Sequence, residues 1–86
     1  MQIIIQDQGD RCAIVATSIA SNTVFPLTIT AAALRDGLRT ILASAATKEL
    51  ACGPASLVRT AEGIDVTTSA GRFAIPYPHA FPLVLA

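Results

Sequence analysis

Few residues in this chain are equipped for chemistry. It holds one histidine, His79, one tyrosine, no tryptophan and two cysteines, Cys12 and Cys52. A serine or cysteine hydrolase needs a nucleophile, a base and a carboxylate that orients the base. His79 is the only imidazole, and it stands between Pro78 and Ala80 in a stretch that reads as a solvated loop with nothing to hold its ring. A zinc site needs three or four ligands. Cys12, Cys52 and His79 fall at no motif spacing, so they read as a buried strand thiol, a helix-end thiol and a loop imidazole. Asp7-Gln8-Gly9-Asp10 has too few carboxylates and no closing Glu for a calcium loop, and reads as a hairpin turn. There is no glycine-rich phosphate loop. The expectation is a protein without catalysis, metal or cofactor.

The arginines are the remaining chemical resource. Arg35 and Arg39 stand at i, i+4 on the polar side of a helical pattern, and Arg59 and Arg72 fall on neighbouring strands. Six basic and six acidic residues cancel, however, so no basic excess marks a nucleic-acid surface. Pairing with Asp36 and Asp65 is the expected use of these cations.

Charge is also scarce. Soluble domains spend about a quarter of their residues on Asp, Glu, Lys and Arg, and this one spends 14%. The 23 residues from Cys12 to Leu34 carry none, and Phe73–Ala86 has only His79. The first of these segments is long enough to span a bilayer. Ser18, Ser21, Asn22, Pro26 and its threonines argue instead for strands and a turn that face a core or a partner. Met1-Gln2-Ile3-Ile4-Ile5 meets Gln6 and Asp7 before an apolar segment of signal length develops, so a reducing, cytoplasmic compartment with two free thiols is expected.

The elements that position these residues read as α+β, in one domain spanning 1–86. Ile3-Ile4-Ile5 and Cys12–Thr17 bracket a turn at Gln8-Gly9, which pairs Ile5 with Cys12 and Ile3 with Ile14. A second turn at Ser21-Asn22 leads to a short strand, Thr23-Val24-Phe25, closed by Pro26. Thr30 is a helix N-cap, and Leu34, Leu38, Ile41, Leu42 and Ala45 form one apolar stripe. Gly37 inside that helical pattern marks a close approach of another backbone, and Cys52-Gly53-Pro54 ends whatever helix remains.

Next, an Ala61-Glu62-Gly63 loop pairs Val58 with Val66 and sets Arg59 opposite Asp65. A turn at Ala70-Gly71 pairs Val66 with Ile75 and Ile64 with Tyr77. Pro76–Ala80 reads as kinked and extended, and Phe81–Ala86 as a final core strand or an exposed apolar tail. The predicted order is β-β-β-α-β-β-β, a small antiparallel sheet or two meanders packed on one amphipathic helix.

A small, Ala-thinned core and an apolar C-terminus predict a non-enzymatic protein–protein interaction module. It would act as a homodimer, a homo-oligomer or a small inhibitor or subunit on a larger protein, of the kind that phages and mobile elements often encode. Phe81, Leu83 and Leu85 are the expected contacts, with Arg35 and Arg39 at the rim. The alternative is a small-molecule or nucleotide-binding domain. Its ligand would lie between sheet and helix, touched by Thr17, Thr67, Thr68 and Arg59 or Arg72.

Overall fold

Two β-branched runs fold back on each other across Gly9-Asp10. In the computed structural model, which describes residues 2–85, β1 (Gln2–Asp7), β2 (Cys12–Thr17) and β3 (Asn22–Leu27) form an antiparallel sheet in the order β1-β2-β3. The Gln8 N–H donates to the Arg11 carbonyl at 2.9 Å, which makes Gly9 and Asp10 the two turn residues. Gly9 has φ 89°, a conformation that suits glycine. The turn thus lies one residue later than expected, and Ile5 faces Ile14 while Ile3 faces Ala16. A register shift of two residues keeps every side chain on its face. Ile3, Ile5, Cys12 and Ile14 are therefore all buried together.

The second turn also differs from expectation. Ser18 N–H bonds the Ser21 carbonyl at 2.9 Å, so Ile19 and Ala20 form the turn in place of Ser21-Asn22. β3 continues past Phe25 to Leu27, and Pro26 is accommodated because β3 is an edge strand.

The helix forms as its cap and stripe demand. α1 spans Ala31–Ala43, and Thr30 Oγ1 accepts a bond from the Ala33 N–H at 3.1 Å. Leu34, Leu38 and Ile41 are buried and Leu42 half-buried, whereas Ala45 lies beyond the helix and is exposed.

The following segment is a strand, not residual helix. β4 (Glu49–Cys52) turns at Gly53-Pro54, with Gly53 at φ 61°, into β5 (Ala55–Arg59). With β6 (Gly63–Thr68) and β7 (Gly71–Pro76) these make a second antiparallel sheet, β4-β5-β6-β7. The Thr60 N–H bonds the Gly63 carbonyl at 2.8 Å, so the β5–β6 turn has two central residues, Ala61 and Glu62. That is a one-residue slip from the expected loop, and it reverses the faces of β5. Leu57 faces Val66 in the core, Val58 moves out to Asp65, and Arg59 pairs with Ile64. The last hairpin turns at Ser69-Ala70, which sets Val66 opposite Phe73 and Ile64 opposite Ile75.

The C-terminal stretch is a second helix, α2 (Tyr77–Leu85), with Pro82 inside it. Neither the extended Pro76–Ala80 nor a strand or loose tail after Phe81 is found. The reason is burial: Ala80 and Leu83, three apart on one helix face, enter the core. Tyr77 ties the start of α2 down, its hydroxyl donating to the Thr60 carbonyl at 2.7 Å. One apolar cluster joins both sheets and both helices, giving an α+β domain in the order β-β-β-α-β-β-β-β-α.

Candidate interaction surface

The outer face of the first sheet follows from its register. Alternation sends Ile3 and Ile5 inward and leaves Gln2, Ile4 and Gln6 outside. Ile4 pairs with Val15, and Val15 with Val24, so the three form one row straight across the sheet. Ile4 is 45% and Val24 59% exposed. The flanking rows are Gln2-Thr17-Asn22 and Gln6-Ala13-Pro26. No charged residue stands on any of these rows, so the face is uncharged and apolar along its midline. Ile19, in the β2–β3 turn, is fully exposed at one end of the same sheet.

The edge of this sheet is open as well. The Gln8–Arg11 bond fixes which rungs of β1 are hydrogen-bonded to β2, namely the even-numbered ones. The backbone N–H and C=O groups of Ile3, Ile5 and Asp7 therefore point away from β2. A groove of about 410 Å³ runs along this edge. Consecutive residues 2–5 line one side, Arg35 of α1 contributes the cation, and His79, Pro82 and Leu83 of α2 complete it. No Asp or Glu lines it.

The residues expected to bind a partner are dispersed by the α2 helix. Leu83 is 8% exposed and belongs to the core. Phe81 and Leu85 are exposed at 47% and 81%, and the Phe81 ring lies 6.2 Å from that of Tyr77. Arg39 is exposed and pairs with Asp36, Nη1 to Oδ1 at 2.9 Å. Arg35 is half-buried and has no ion pair or hydrogen bond among the described residues.

The small-molecule set is not assembled. Arg59 is committed to α1: its guanidinium donates to the carbonyls of Ile41 and of Ser44 (3.0 Å), and its Nε to that of Thr47 (3.3 Å). Arg72 stands 3.9 Å from Asp65, and Thr17 lies in a different sheet from Thr67 and Thr68. Both thiols are free, and burial pushes the pKa of each up; Cys52 donates weakly to the Ala33 carbonyl at 3.3 Å. Among the described residues no group of His, Cys, Asp and Glu is placed to hold a metal, and no helix is long and apolar enough to cross a membrane.

The Ile4-Val15-Val24 row escapes a sequence reading because its alignment depends on the β1–β2 register, although either register sends Ile3 and Ile5 inward and Ile4 outward. The one available signal was the β1–β2 register, and the turn residues leave two choices for it. Comparison of the chain with protein-family models, with curated proteins and with solved structures gives no match.

Proposed function

We propose that this chain is a non-catalytic protein–protein interaction module, acting as a homo-oligomer or as a small subunit or inhibitor on a larger protein, and that it docks through the β1-β2-β3 sheet. The observation that carries this reading is the Ile4-Val15-Val24 row on an uncharged sheet face. Exposed apolar residues joined into a patch mark contact surfaces, whereas scattered ones do not. An open strand edge beside the patch supplies backbone groups for the same purpose. Free thiols fit a reducing, cytoplasmic setting, and the size and bare inventory fit inhibitors of the kind mobile elements carry. The test is size-exclusion chromatography with light scattering over a range of concentrations, on the wild type and on Val24→Lys. Val24 is exposed, so the variant should keep its fold and lose association. An unchanged mass for both at every concentration, with no partner recovered, removes the reading.

A second reading, a small-anion-binding domain, is favoured by the groove itself. Its volume lies within the range of ligand sites, and it holds one arginine with no ion pair among the described residues. A thermal-shift screen with carboxylates and nucleotides tests it, because a ligand selective for the folded state must raise Tm.

A further inference from the structure

We infer that two copies of this chain join through the open edges of β1, and that the partner's Asp7 pairs with Arg35. The inference deepens the homo-oligomer reading above and rests on it.

Three features of β1 point the same way. Its free edge carries the unbonded N–H and C=O groups of Ile3, Ile5 and Asp7, and no described residue bonds them. Its inward side chains are, in order, Ile3, Ile5 and Asp7: two apolar groups and then a carboxylate. The groove beside the edge is lined by apolar groups, by the polar Gln2 and His79, and by Arg35, a cation with no ion pair among the described residues; no acid lines it. A strand suited to this groove would carry apolar inward residues and one carboxylate. β1 of a second copy has that pattern.

The register follows from symmetry. An antiparallel pair about a twofold axis at Ile5 sets Ile5 against the partner's Ile5, and Ile3 against the partner's Asp7. These are the rungs whose backbone groups point outward, so each pair can exchange two N–H···O=C bonds. The partner's Asp7 then arrives on the rung of Ile3, on the inward side, where Arg35 lines the groove. The twofold repeats the ion pair, because an isologous interface uses each contact twice. Asp7 is available for this role. It is exposed, and only its Oδ1 is engaged, accepting the Gly9 N–H at 2.9 Å. α2 borders the same groove through His79, Pro82 and Leu83, and turns Ala80 and Leu83 into the core.

The experiment is a charge exchange read by sedimentation and light scattering on the full chain, from about 1 to 500 µM, a span that covers weak and moderate dimers. Asp7→Arg and Arg35→Asp should each weaken the dimer by about tenfold or more, since like charges then face each other across the interface. The double variant Asp7→Arg/Arg35→Asp should return Kd to within about threefold of the wild type. Far-UV circular dichroism and Tm of each variant show that the monomer fold persists. Recovery on exchange cannot come from a general loss of stability.

A wild type that stays monomeric throughout overturns the inference. So do single reversals that leave Kd unchanged, or a double variant as weak as the singles. If Val24→Lys abolishes association while the reversals leave it intact, the sheet-face reading stands and the edge pairing falls.

Discussion

Gly37 of α1 lies directly against Leu57 of β5: a Cβ at position 37 would stand 3.0 Å from the Leu57 Cδ1 and 3.2 Å from the Cys52 Sγ. Two effects of opposite sign meet at this position. Glycine inside a helix costs about 1 kcal/mol relative to alanine. Overpacking a filled core costs about 1–3 kcal/mol. Leu57 is fully buried, and moving its Cδ1 aside must displace close-packed neighbours, so the clash is expected to outweigh the propensity. Gly37→Ala should therefore lower stability by about 1 kcal/mol in chemical denaturation. Adding Cys52→Ala removes one of the two crowding atoms and should restore part of the loss. A more stable single variant would show that α1 can shift away from β5.

A sharper result is expected at Gly63. Its φ is ordinary, so the turn itself does not demand glycine. The reason lies across the sheet. A Cβ there would meet the Ile75 carbonyl and stand 2.8 Å from the Pro76 Cα, and both are backbone. Backbone can yield only by parting β6 from β7. Gly63→Ala should cost about 3 kcal/mol or more, or prevent folding, with the loss visible in both the melt and the expression yield.

Arg59 predicts a difference between two cations. Its fork closes the C-terminal end of α1 by reaching the carbonyls of Ile41, Ser44 and Thr47 together. The Ile41 carbonyl, in the last turn of α1, lacks an intrahelical partner and carries the negative end of the helix dipole, while those of Ser44 and Thr47 belong to the loop that follows. Arg59→Met keeps the stem and should lose about 2 kcal/mol of stability in urea unfolding. Arg59→Lys keeps the charge but cannot span three acceptors, so it should recover less than half of that. Full recovery by lysine would mean that charge, not geometry, is what matters there.

Three of the hairpins show what a sequence can specify and what it cannot. At Gly9-Asp10 and Ser69-Ala70 the expected turn was displaced by one residue, which moves the register by two and preserves the faces. Ile3, Ile5 and Ile14 are thus inward in the expectation and in the structure alike. At Ala61-Glu62 the loop is shorter by one residue, and that odd change exchanged Val58 for Leu57. Gly63 invited the longer loop, because glycine suggests a left-handed turn position. In fact it is there for the carbonyl of Ile75. α2 was missed for a related reason. Pro76, Pro78 and Pro82 disfavour a helix locally, and burial of Ala80 and Leu83 outweighs that preference. The interaction surface was legible only in part. Its lack of charge is plain in the composition and its face follows from Ile3 and Ile5 turning inward, but the alignment of Ile4 with Val15 depends on a register the turns leave ambiguous.

The two thiols make a prediction about alkaline pH. Burial raises the pKa of Cys12, helped by the Asp7 charge and opposed by Arg35, and burial likewise raises that of Cys52, with Asp36 adding to it. The folded state therefore holds these protons to a higher pH than the unfolded chain does. A raised folded-state pKa contributes stability that is fully present below the unfolded value, about 9, and is lost as pH rises through the folded one. Stability measured by denaturant should be insensitive to the thiols between about pH 6 and 8 and should fall above about pH 9. Cys12→Ala, which leaves a small cavity, should begin less stable and show a shallower decline across that alkaline range. The same burial should make both thiols slow to react with a disulfide reagent at pH 8 until the protein unfolds, because only the thiolate attacks. Rapid labelling of Cys12 in the folded protein would mean that the β1–β2 hairpin opens, since Cys12 is fully buried beneath it.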